Sequence, residues 1–128
     1  MAKQPRYTYK ATVLKISDGD SIKLSVDLGF HVAIVMQVRL LGLDAAEISS
    51  PHPANRKLAQ RAKKRLAELL VNPQVTIRSE KPYKSDLYGR WLAEVFNSSG
   101  VNVNQTLLDE KLAVPYDGGK RDESEILD

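Results

Sequence analysis

From residue 21 to residue 28 the chain alternates strictly, with Ile22, Leu24, Val26 and Leu28 set against Lys23, Ser25 and Asp27. A period of two is the mark of a strand with one buried face, and a helix does not produce it. Residues 7–17 alternate in part, with Tyr7, Tyr9, Ala11 and Val13 against Thr8, Lys10 and Thr12. Asp18-Gly19-Asp20 between the two runs is a tight-turn sequence, so the pair reads as a β-hairpin. Gly29 then turns the chain into a long run over residues 30–43 that carries Val32, Ile34, Val35 and Val38. That run is long enough to bend around a barrel.

The loop Ser49-Ser50-Pro51-His52-Pro53 breaks the pattern, because each proline fixes φ and removes a donor. Residues 55–70 follow as an amphipathic helix. Leu58, Ala59, Ala62, Leu66, Leu69 and Leu70 share one face, while Lys57, Arg61, Lys64, Arg65 and Glu68 share the other. Asn72-Pro73 stops it. Residues 75–79 and 91–96 read as two further strands, with Trp91 assigned to the core and Asn97-Ser98-Ser99-Gly100 as a turn. Residues 103–112 read as a short helix capped by Asn104, with Leu107 and Leu108 inward. Three meandering strands, a helix and a closing pair of strands is the order of a five-stranded OB-type barrel, so the expected class is mainly β, or α+β, with two helices. A small α+β sandwich is the alternative.

At 128 residues the chain is one domain by length, expected over residues 7–116, with tails at 1–6 and 117–128. It has no cysteine, which excludes disulfides and thiolate metal sites. No apolar run marks a signal segment or a membrane span. The expectation is therefore a soluble protein, with a cytoplasmic location favoured over a processed secreted form, and a monomer. The net charge is only +3, but it is unevenly spread. Ten Lys or Arg lie between His52 and Arg90 against Glu68, Glu80 and Asp86, whereas residues 109–128 carry seven acids against three bases. A basic middle suits a polyanion; the ordinary alternative is a solvated helix surface.

The residues able to do chemistry sit where strands end. Asp20 lies at the hairpin turn and Asp44 follows the apolar run Leu40-Leu41-Gly42-Leu43. Two carboxylates with a backbone carbonyl and water suit Ca²⁺ or Mg²⁺, although an aspartate in a turn often serves only its local backbone. Arg39 interrupts an apolar strand, so it requires a carboxylate partner or a place in a site. Glu47, just past the strand end, is placed to order or deprotonate a water. Arg90 follows Tyr88-Gly89, and its planar fork suits a phosphate. Tyr88 and Tyr116 are candidates for stacking on bases or bonding phosphate oxygens.

Taken together, Asp18-Gly19-Asp20-Ser21, Arg39 with Asp44-Ala45-Ala46-Glu47, and Asp86-Leu87-Tyr88-Gly89-Arg90 resemble the staphylococcal (thermonuclease-type) nuclease family in order and approximate spacing. The resemblance implies a calcium-dependent endonuclease or exonuclease acting on DNA, and on RNA as a further substrate, with low sequence preference and 3′-phosphate products. It implies that Asp20, Asp44 and the carbonyl of Ala45 hold one Ca²⁺, with Mg²⁺ as the alternative. Arg39 and Arg90 would grip the scissile phosphate, Glu47 would handle the water, and Tyr88, Tyr116 and Lys84 would contact the substrate. The chain departs from the family where Ala45-Ala46 replaces a frequent Thr-Pro and Leu87 a frequent lysine. The loop before the helix and the C-terminal tail are also short. The competing expectation is a non-catalytic nucleic-acid-binding module of the same fold.

Overall fold

A computed structural model describes residues 7–46, 50–79 and 91–116. Nine elements follow one another: β1 (Thr8–Asp18), β2 (Ser21–Gly29), β3 (Val32–Leu40), β4 (Leu43–Asp44), α1 (Pro53–Leu69), β5 (Gln74–Ser79), β6 (Trp91–Phe96), α2 (Val103–Asp109) and β7 (Val114–Pro115). Five of the strands close into a barrel in the order β1-β2-β3-β6-β5, with β5 returning to β1. All pairs are antiparallel except β3 with β6, which run parallel. This is the expected OB-type barrel with two helices.

The alternation in β2 does what its period implies. Ile22, Leu24 and Val26 are fully buried, and the register sets them against Val38, Met36 and Ile34 of β3 on one side and Ile16, Val13 and Ala11 of β1 on the other. Val75 and Ile77 of β5 and Ala93 and Val95 of β6 complete the interior. Each large side chain buried this way contributes roughly 1.5–3 kcal/mol over its exposed state. α1 turns Ala59, Ala62 and Leu66 inward and packs against β1. Small residues at two of these positions let the helix come close to the Asp18–Gly19–Asp20 turn. A Cβ on Gly19 would lie 2.6 Å from the Cβ of Ala62, so only glycine fits there.

Three local outcomes differ from the sequence reading. The run over residues 30–43 is not one strand. Gly42, at φ +87°, breaks it after β3, and the short β4 beyond pairs with β7 instead of continuing the barrel. The cap of α2 is Asn102, whose side chain accepts from Gln105 N at 3.1 Å, and not Asn104. Asn104 lies inside the helix and is buried, with its amide turned to the sheet. Trp91, expected in the core, is 38% exposed at the start of β6. The two helices are tied at the surface by Arg65, which donates to Glu110 at 2.8 and 2.9 Å, and the Glu110 carboxylate raises the pKa of that guanidinium further.

Candidate functional site

The two ends of the barrel strands that matter are set side by side by register. Ser21, the first residue of β2, pairs with Arg39 near the end of β3, and Leu40 N donates to Asp20 O at 2.8 Å. Residues nearly twenty positions apart are thereby neighbours at one rim. After Gly42 reverses the path, Asp44 and Ala45 come back over the same rim. Ala45 N donates to Asp20 Oδ2 at 2.9 Å, and Ser21 Oγ donates to Asp20 Oδ1 at 3.0 Å. Asp20 is thus held by one bond on each oxygen, which fixes its orientation.

Arg39 occupies the middle of this arrangement. Its Nη2 donates to Asp44 Oδ1 at 2.6 Å and lies 3.4 Å from Leu43 O and 3.7 Å from Asp20 Oδ2. All three charged residues are buried, so water screens them little. The guanidinium lies over the Tyr116 ring, with its carbon 4.7 Å from the ring centroid. Tyr116 is set there by the β4–β7 ladder and by its own N–H, which donates to Gly42 O at 2.9 Å. The β4–β7 pair, invisible in the sequence, is therefore what brings Tyr116 to Arg39.

A further positioning residue escaped the sequence reading. Asn104 donates from Nδ2 to Leu41 O at 2.8 Å and to Ala93 O at 3.1 Å, while its Oδ1 accepts from Val95 N at 2.9 Å. One buried amide thus fastens α2 to β6 and to the Leu41-Gly42 corner from which Asp44 departs. Its signal in the sequence is an asparagine amid the apolar spacing of Val103, Leu107 and Leu108, which a cap reading explains away.

Among the described residues no group of three or more His, Cys, Asp or Glu gathers as a metal cluster. Asp20 and Asp44 do converge, since both direct an oxygen at the same Arg39 nitrogen. Carboxylate oxygens are the hard donors that Ca²⁺ or Mg²⁺ takes, but here both carboxylates face the Arg39 guanidinium. Of the residues assigned to the site from sequence, Asp20, Arg39, Asp44, Ala45 and Tyr116 come together. Glu47, Lys84, Tyr88 and Arg90 lie outside the described residues. The described helices include none long and apolar enough to cross a membrane.

Comparison with known proteins adds an independent line. A family model described as staphylococcal nuclease homologue matches residues 37–127. That match takes in Arg39, Asp44, Glu47, Lys84, Tyr88, Arg90 and Tyr116 but begins after Asp20, so Asp20 rests on the geometry. The chain is 33% identical over 102 residues to the SPbeta prophage-derived endonuclease YokF of Bacillus subtilis (strain 168), covering 80% of this chain and 32% of that protein. It is 30% identical over 112 residues to the endonuclease YncB of the same organism, covering 88% and 50%. It is 35% identical over 100 residues to an uncharacterised protein of Bacillus anthracis, covering 78% and 44%. The matched part thus makes up between about a third and a half of these relatives.

Proposed function

Because this chain belongs to the staphylococcal nuclease homologue family, we infer that it is a metal-dependent phosphodiesterase that cleaves DNA, and RNA as a second substrate, with little regard for sequence. The observation that carries this reading is the convergence of Asp20 and Asp44 on Arg39 at one barrel rim. The endonuclease names borne by two relatives point the same way.

Asp20, Asp44 and the carbonyl of Ala45 would hold one Ca²⁺ or Mg²⁺, which when bound supplies charge neutralisation at the phosphate and polarises water. The chain's own groups do the rest. Arg39 offers its guanidinium to a non-bridging phosphate oxygen and meets the extra charge of the five-coordinate transition state. Its stack on Tyr116 restricts the guanidinium plane, so that less freedom is lost when it engages the phosphate. Arg90 supplies the second guanidinium, and Glu47, three residues beyond Asp44, orients or deprotonates the attacking water. Lys84, Tyr88 and Tyr116 serve as substrate contacts. In-line displacement with the 5′ oxygen as leaving group gives 3′-phosphate and 5′-hydroxyl ends. Contacts confined to phosphates carry no base information, which is why sequence preference is low.

The test is nicking of a supercoiled plasmid with calcium, magnesium or a chelator, followed by chemical identification of the new ends. Metal-dependent nicking that leaves 3′-phosphates supports the reading. Arg39→Ala and Arg90→Ala should each lose about a hundredfold or more in turnover. Nicking that survives a chelator removes the metal from the scheme. Arg39 satisfied by Asp44 also suits a module that binds nucleic acid without cutting it. Retained DNA binding with no nicking under any metal would favour that second reading.

A further inference from the structure

Among the described residues, the β2–β3 hairpin carries an edge that no barrel strand pairs with. β3 pairs with β2 along its whole length, yet among the described residues its other edge meets β6 only over Val38, Arg39 and Leu40. The outer edge of residues 32–37 has no ladder partner there, which leaves backbone donors and acceptors available. The side chains along it are apolar on both faces. Ile34 and Val35 point to opposite sides and are 44% and 54% exposed, Val32 is 50% exposed, and Leu28 across the hairpin is 42% exposed. At the turn Phe30 is 97% exposed. Phe30 and His31 take φ of 55° and 60°, a left-handed conformation that residues of this size adopt only under constraint. No Asp, Glu, Lys, Arg or Pro occurs between Leu28 and Val38. Those are the residues by which natural edge strands prevent pairing.

We propose that this edge pairs, antiparallel, with the same edge of a second copy of the chain about a two-fold axis at Ile34. Three observations select a second copy as the occupant. An uncharged edge meets its own image without the like-charge repulsion that a lysine or glutamate would impose. The register closes: a two-fold axis normal to the sheet sets same-face residues opposite each other. Centred on Ile34, it places Val32 against Met36, Ala33 against Val35 and His31 against Gln37. Every member of those pairs comes from the unused stretch or the turn beside it, and pairing stops where β6 takes over at Val38. The same register brings Phe30 to the start of β6 in the second copy, where Trp91 is 38% exposed, so the two exposed aromatics meet.

Leu28, Phe30, Val32, Ile34 and Val35 expose roughly 500 Å² per copy, so the pairing buries at most about 1,000 Å² of this patch in total, the small end of specific interfaces. Among the described residues the barrel has one such edge, and the two-fold uses it in both copies, so the assembly closes as a dimer and does not grow into a fibre. Within one copy β2 separates Phe30 from Asp20 by roughly 30 Å, but this register sets Phe30 of the second copy beside Val38 and Trp91, one position from Arg39, so each hairpin tip borders the other copy's rim. Sequence alone leads to a monomer; the unguarded edge is what points to the dimer.

Because the chain has no native cysteine, single-cysteine variants report the register cleanly. Ile34→Cys should form a disulfide-linked dimer under mild oxidation of the folded protein, since opposed residues across a two-fold lie within disulfide reach. Lys23→Cys, exposed on the outer face of β2, should remain monomeric on a non-reducing gel. Analytical ultracentrifugation of the unmodified protein should show a dimer. Ile34→Lys sets two like charges on the axis and should weaken it by about a hundredfold, with an unchanged thermal melt as the folding control. A monomeric mass across the dilution series would overturn the proposal and leave the edge to a strand of another protein. Cross-linking of Ile34→Cys no faster than Lys23→Cys, or a dimer that Ile34→Lys leaves intact, would overturn it equally.

Discussion

Arg39 and Asp44 are joined by a 2.6 Å hydrogen bond from Nη2 to Oδ1, with both side chains less than a tenth exposed. A pair this dry is costly to assemble and costlier to break, because the surviving charge is left in a poor solvent. Asp44→Ala leaves Arg39 with Asp20 at 3.7 Å and the Leu43 carbonyl as its partners at this point among the described residues. The expected loss is about 3–5 kcal/mol of unfolding free energy. Urea denaturation checks it, and repeating the titration at about 1 M salt separates this pair from a surface one, because burial protects it from screening. A loss that disappears in salt would mean that the pair is wetter than its burial implies.

The assignment of Asp20 and Asp44 as metal ligands predicts a linkage between metal and stability. A cation held by both carboxylates in the folded state alone stabilises by RT ln(1 + [L]/Kd), about 2.7 kcal/mol at a hundredfold excess over Kd. The melting temperature should therefore climb by several degrees as calcium is added. Asp20→Ala should abolish the rise. The readout needs no substrate, so it tests the metal assignment apart from catalysis. No rise with calcium, magnesium or manganese would remove Asp20 and Asp44 as ligands.

Asn104 makes three hydrogen bonds, two of them buried and the one to Leu41 O part-buried. Asn104→Ala removes the partner of Val95 N and of Leu41 O, while Ala93 O keeps the Leu41 N–H at 2.8 Å, and should cost about 2–4 kcal/mol. Asn104→Asp is the sharper variant. It keeps the shape and the acceptor but cannot donate to Leu41 O or Ala93 O, and it introduces a buried charge. It should be at least as destabilising as the alanine variant at neutral pH and should partly recover as the carboxyl is protonated in acid. Chemical denaturation of both variants at two pH values decides the matter. Equal stability of the wild type and Asn104→Asp would show that the corner is held by other means.

What the sequence disclosed follows from which forces leave a local imprint. β2 was legible because every second residue faces the interior, and that constraint prints itself on consecutive positions. β4 and β7 have two residues each and carry no period, so their pairing, and with it the placement of Tyr116 over Arg39, had to come from the structure. Asn102 and Asn104 are both credible caps by composition; what separates them is that Asn104 faces the sheet, a tertiary fact. Trp91 reads as core by hydrophobicity, yet it starts its strand at the rim, where burial runs out. Asp20, Arg39 and Asp44 were each visible as odd residues near strand ends. Their meeting at one point depends on the β2–β3 register and on the left-handed turn at Gly42.

Gly19 and Ala62 offer a compact test of how the helix sets the rim. A methyl group on Gly19 would sit 2.6 Å from the Ala62 Cβ and 3.3 Å from the Ala45 Cβ, and Ala45 is the residue whose N–H orients Asp20. Neither neighbour is the end of a flexible chain, so the clash must be relieved by moving α1 or the turn. Gly19→Ala should therefore cost about 1–3 kcal/mol. Ala62→Gly alone should cost about 1 kcal/mol for helix propensity plus a small cavity term. The double variant removes the closest contact and should be more stable than the sum of the two losses allows, by about 1 kcal/mol or more. A double-mutant cycle in urea measures that coupling. Should the two losses simply add, the helix yields without strain, and the close approach of α1 does not hold the Asp20 turn in place.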